Sequence, residues 1–228
     1  MSRLSPRRAA ALSIATLTAL ATLSGCGDLH PGVAVQAGDE KFSLQDVDEI
    51  TRDVCTVIQS DAGSAGTYAM QAIRRGVVRS LALRSAAEQL AQQYDVEPGS
   101  AYNSAVKQYT AKLTAVSDAE RDHAVTVLAA ADYVQGVIIA IGTAELTAAG
   151  VTVDQDTATA KGAEILKAWT VEHGIEVDPR FDLELGDTGL ETVDTDTSYA
   201  LSDFATQAGA DQPTAEFVAA LPPSQRCG

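Results

Sequence analysis

The chain has 228 residues and carries sixteen Lys and Arg against thirty-one Asp and Glu, a formal net charge of −15. A surface this acidic repels phosphate backbones and anionic headgroups, which excludes nucleic-acid binding as a function class. Hydrophobic residues make up 46% and aromatics only 5%, with alanine abundant, a balance that favours helices packed closely through small side chains.

The first thirty residues read "MSRLSPRRAAALSIATLTALATLSGCGDLH". Arg3, Arg7 and Arg8 form a cationic start, and an uncharged stretch runs from Ala9 to Leu23 with no acid before Asp28. That is the layout of an export signal. Its apolar part is short of the ~20 residues a spanning helix needs. Leu23-Ser24-Gly25-Cys26 resembles the lipobox of bacterial lipoproteins. The resemblance implies that residues 1–25 are a signal peptide and that the Cys26 thiol is acylated, palmitate being a typical chain. Cys26 then begins the mature, membrane-anchored protein on the extracytoplasmic side. A diacyl anchor supplies the two chains that stable attachment requires. Removing residues 1–25 takes away three arginines and no acid, so the mature chain is more acidic still. Arg7-Arg8 leaves the export route open between general secretion and the twin-arginine path.

With Cys26 assigned to lipid, Cys55 and Cys227 are the two remaining thiols of an exported chain, and one disulfide is the expected outcome. Two free or intermolecular thiols are the alternative. The bridge would close a loop of about 170 residues, worth about 5 kcal/mol on the chain-entropy estimate.

Residues 26–32 read as a tether. "VAVQAGDEKF" then alternates around Gly38-Asp39, a two-residue hairpin turn with glycine at its first central position. That turn sets Val35 opposite Phe42. Ser43 with Asp46 opens a helix over 44–60, with Leu44, Val47, Ile50, Val54 and Val57 on one face. A second helix is expected over 68–94, with Met70, Ile73, Val77, Leu81 and Leu90 inward. Its other side carries Arg74, Arg75, Arg79 and Arg84, read either as a cationic strip or as partners for acids on the preceding helix. A third helix covers 100–114 and sets Tyr102, Val106, Tyr109 and Leu113 on one face. Ser117-x-x-Glu120 is a capping box opening a fourth helix over 118–147, whose "YVQGVIIAIG" reads as a buried core segment. A fifth helix is expected over 157–173. Residues 175–185 alternate around Pro179 and read as a short or edge strand. Residues 186–198 read as a mobile acidic loop, and a short helix before Pro222-Pro223 precedes Cys227. The fold class expected is therefore mainly α with a small β element: a hairpin, a bundle of about five helices and a short returning strand.

The run "VAVQAGDEKFSLQDVDEI" resembles the start of the N-terminal domain of SurA-type periplasmic chaperones. In that family a strand, a turn usually written Asn-Gly and a second short strand lead into helices of rising length. Gly38-Asp39 stands here where Asn-Gly is usual, and Phe42-Ser43 where Ile-Thr is usual. Asp178-Pro179-Arg180-Phe181 is similar to a signature of exported lipoproteins in this group. The resemblance spans residues 33–185 in layout and implies a chaperone domain there, with 186–228 as an acidic loop and a tail held back by the disulfide. Many members add a parvulin-type prolyl isomerase module; the forty or so residues after Leu185 lack histidine, and no such module is expected in them.

Chemistry-bearing motifs are sparse. His30, His123 and His173 fall in different elements without metal-ligand spacing, and no cofactor is implied. The acidic runs lack the pattern of a calcium-binding EF-hand loop. Without a base near any serine or cysteine, no nucleophile is marked. The expectation is a non-enzymatic, membrane-anchored holdase for unfolded exported polypeptides, with Met70, Tyr102 and Tyr109 as candidate peptide-binding residues. The alternative is an envelope scaffold or interaction lipoprotein that binds one folded partner.

Overall fold

The computed structural model describes residues 31–60, 66–186, 189–193, 201–210 and 212–228. The signal segment, Cys26, the tether as far as His30, and much of the acidic stretch 186–198 lie outside the described residues.

The hairpin forms around its turn chemistry. Strands β1 (Val33–Ala37) and β2 (Glu40–Ser43) pair antiparallel, with Val35 opposite Phe42 as the two-residue turn requires. Gly38 takes φ +54°, a conformation that glycine adopts without steric cost. A side chain there would also collide with Gln89 and the Trp169 ring. Gln89 clamps the turn by donating to the Ala37 carbonyl at 2.7 Å and accepting from the Asp39 N–H at 3.1 Å. Helix α1 (Leu44–Ser60) starts where Asp46 and Ser43 cap one another, the Ser43 N–H donating to the Asp46 carboxylate at 2.8 Å.

After α1 comes a two-residue strand, β3 (Tyr68–Ala69), and then α2 (Met70–Tyr94), the 25-residue helix around which the molecule is arranged. Following it are α3 (Gly99–Lys112), α4 (Asp118–Leu128), α5 (Ala130–Ala148) and α6 (Gln155–His173). Two apolar cores divide along α2. Its N-terminal half, with Val77, Val78 and Leu81, packs with α1, Val35, Ala124 and Phe181. Its C-terminal half, with Ala86, Ala87 and Leu90, packs with Val137, Ile141, Leu166 and Trp169 of α5 and α6.

The single helix expected over 118–147 is two, bent by 48°. Ala129 sits at the break with no exposed surface and keeps its N–H bond to the Val125 carbonyl. Its small side chain lets α4 lie on α1 while α5 turns onto α2 and α6. Among the described residues no single helix is long and apolar enough to cross a membrane. Helix α6 begins two residues earlier than expected because Asp154 and Thr157 form a capping box.

The returning strand expected over 175–185 is split. Strand β4 (Ile175–Val177) pairs antiparallel with β1, giving a three-stranded sheet in the order β2-β1-β4. A 3-10 turn at Pro179–Phe181 follows, then β5 (Leu183–Leu185). Part of the expected acidic loop is a strand instead: β6 (Leu190–Thr192) pairs with β5, and Leu190 is 4% exposed because it joins the first core. Two short helices, α7 (Asp203–Gly209) and α8 (Ala215–Ala220), lead to β7 (Arg226–Cys227), which pairs with β3. Among the described residues, eight α-helices and small sheets make the fold mainly α.

Candidate functional site

The end of the described chain returns to the start of α2. Cys227 lies opposite Tyr68 in the β3–β7 pair and is bonded to Cys55 of α1, with Cα atoms 5.6 Å apart. The Thr214 hydroxyl accepts from the Phe217 N–H and starts α8, whose Phe217 and Val218, with Leu221, bury a small third core against Ala69. Phe204 of α7 leans on Phe217 with ring centroids 4.9 Å apart.

These segments and the first two turns of α2 enclose a cleft of about 370 Å³, lined among others by Met70, Gln71, Arg74, Arg75, Phe204 and Phe217. Phe204 is 58% exposed beside it. Helix α2 opens onto the cleft without a side-chain cap: Ala69 occupies the N-cap position, and it lines the cleft along with Gln71 and Ala72 of the first turn. Among the described residues two arginines and no acid line it, in a chain where acids outnumber bases almost two to one.

The four arginines of α2 tie the molecule together rather than forming one strip. Arg74 reaches Asp48 on α1 at 2.8 Å, the partner helix expected from the sequence. Arg75, 1% exposed, donates to Asp182 at 3.0 Å and to the Ala210 carbonyl at 3.3 Å. Arg79 donates to the Leu190 carbonyl at 2.8 Å, fastening β6. Arg84 donates to Glu88 at 2.7 Å and lies over the rings of Tyr102 and Tyr133, 5.6 and 4.8 Å from their centroids. Sequence separations above 100 residues hid the partners of Arg75 and Arg79.

The three candidate peptide-binding residues do not share one groove. Met70 lines the cleft. Tyr102 packs edge-on against Tyr133, ring centroids 5.0 Å apart, beside Arg84. Arg84 is fourteen residues beyond Met70 on the same helix, about 21 Å along its axis. Tyr109 is half-buried on α3, a helix with no fully buried residue. Burial, chiefly, raises the Tyr133 hydroxyl above its ordinary pKa. The sequence reading missed Phe204, Phe217, Gln71 and the cleft-facing role of Arg75. The apolar spacing of "TAEFVAAL" pointed to a short buried face, but nothing local said what it would cover.

The described histidines have structural partners. His123 Nδ1 is 2.6 Å from Asp53, and His173 stacks on Trp169 at 4.5 Å. Among the described residues no cluster of His, Cys, Asp and Glu is arranged to hold a metal ion. Comparison with protein-family models, curated proteins and solved structures finds no match to this chain.

Proposed function

We propose that this chain is a membrane-anchored extracytoplasmic lipoprotein that holds unfolded exported polypeptides without catalysing any reaction on them. The observation that carries the reading is the cleft at the head of α2, with Met70, Phe204 and Phe217 on its walls. Its size is at the lower end for a ligand site and suits one or two side chains of an extended peptide. Methionine and exposed phenylalanine adapt to varied apolar groups, which favours loose sequence choice. The likeness of residues 33–50 to SurA-type chaperones supports the same reading, and the lipobox at Cys26 supports the anchor.

The test is aggregation of several unrelated unfolded proteins at near-stoichiometric ratios of the anchored protein. Delay of all of them is expected, with Phe204→Asp losing more than half of the effect. No delay of any client, together with tight binding of one folded envelope protein, would establish the scaffold alternative instead. Cys26→Ser should abolish lipid labelling; an unmodified Cys26 in the mass of the membrane form would overturn the anchor.

A further inference from the structure

We infer that the cleft recognises the free C-terminal carboxylate of a polypeptide whose last residues are apolar. This rests on the reading that the cleft binds polypeptide, and adds which part of the chain it selects.

Four observations converge on a carboxylate beside an apolar group. First, the cleft is bounded by the opening turn of a 25-residue helix whose N-cap, Ala69, offers no side-chain acceptor. The leading N–H groups of a helix lack intrahelical partners and point along the axis with the positive end of the peptide dipoles, which favours a carboxylate there. Second, Arg75 lines the cleft at 1% exposure, and its Nε has no acceptor although its two terminal nitrogens donate to Asp182 and Ala210. The Nε of neighbouring Arg74 is likewise buried without an acceptor. A buried guanidinium N–H left without an acceptor is costly, and a carboxylate oxygen that reached either Nε would relieve it. Third, among the described residues the lining holds both arginines and no acid, their carboxylate partners Asp48 and Asp182 standing outside it. Fourth, Phe204, Phe217, Leu221 and Met70 supply apolar walls next to these donors. A buried carboxylate demands the donors, and an apolar terminal side chain matches the walls. A mid-chain segment brings no charge to the donors. The volume of about 370 Å³ fits one or two residues, which is the length of chain that an end presents and a through-running strand exceeds.

The experiment compares two fluorescent hexapeptides of one sequence ending in Leu-Phe, one with a free C-terminal acid and one with a C-terminal amide. Binding to the full lipidated chain in detergent is read by anisotropy. The acid should bind about tenfold more tightly, the worth of a hydrogen bond to a charged group. Gln71→Glu is the decisive variant. Gln71 is exposed on the first turn of α2, where a carboxylate stabilises a helix, so the fold is retained while the added charge occupies and repels at the site. It should remove the acid's advantage over the amide. Equal affinities for acid and amide, unchanged by Gln71→Glu, would overturn carboxylate selection and leave polypeptide binding standing. Absence of binding by both peptides would overturn polypeptide binding itself, and selection with it. Laurate displacing the acid peptide and binding more tightly than it does would assign the same carboxylate chemistry to a fatty acid, and so overturn the assignment to a chain end.

Discussion

Arg75 is the one charged side chain among the buried residues of the described structure, and its value depends on its partners. It projects from the second turn of α2 and donates to Asp182, a residue at φ +51°, where aspartate is tolerated better than most side chains. Replacing it by methionine keeps the volume but deprives the Asp182 carboxylate of its guanidinium. We expect Arg75→Met to lose about 3 kcal/mol in urea unfolding, as removing one partner of a buried pair does. Adding Asp182→Asn should restore part of that loss, since the amide carries no charge and accepts the same backbone conformation. No restoration would show that the pair is not what the site depends on. The arginine was plain in the sequence, but Asp182 was not readable as its partner, because 107 residues, including the helices α3 to α6, separate them.

Among elements, the α5–α6 contact is the closest. A Cβ on Gly142 would overlap the Ala158 carbonyl, and one on Gly162 would overlap the Ile138 carbonyl, so the two backbones touch through both glycines. Gly162→Ala gains about 1 kcal/mol of helix propensity and forces the helices apart at a cost we put at about 3 kcal/mol. Net destabilisation by thermal unfolding is the expected result; a more stable variant would mean that the helices do not touch there. At the start of α4, Ser117 and Glu120 cap each other, and Ser117→Ala should cost about 1 kcal/mol. Hydrogen bonding from Ser117, hydroxyl first and backbone N–H second, lowers the Glu120 carboxyl below its ordinary 4.5. A depressed folded pKa stabilises above the unfolded value and is lost as pH falls through the folded one. The difference in melting temperature between wild type and Ser117→Ala should therefore shrink between pH 7 and pH 3. These boundaries were legible because caps and turns are local: Ser117-x-x-Glu120 and Gly38-Asp39 carry their own geometry. The bend at Ala129 was not, since alanine continues a helix as readily as it permits a packing-driven break.

At the scale of the molecule, Cys55 and Cys227 close a loop spanning 172 positions. On the chain-entropy estimate that is about 5 kcal/mol, so Cys227→Ser should melt about 10 °C or more below wild type. A non-reducing peptide map should recover the two cysteines in one linked fragment, and free alkylation of both in the native protein would refute the bond. The mainly helical class, the hairpin register and the return of a strand near residue 175 followed from periodicity and turn residues alone. The candidate site did not. Its walls, residues 69–75 and 204–225, are each ordinary in isolation, and only the β3–β7 pair and the third core bring them together.

That arrangement also sets an order of events. On the proposed route the chain emerges from N- to C-terminus, and the α2 wall precedes the α7–α8 wall by about 130 residues. Until the later segment has arrived, β3 has no partner and the cleft has only one side. On the proposed function, a protein that grips unfolded chains would be without a grip while it is itself unfolded, and the step that finishes it would be oxidation, favoured outside the cytosol. Its competence would then be stamped by arrival at the compartment where the proposed function places it.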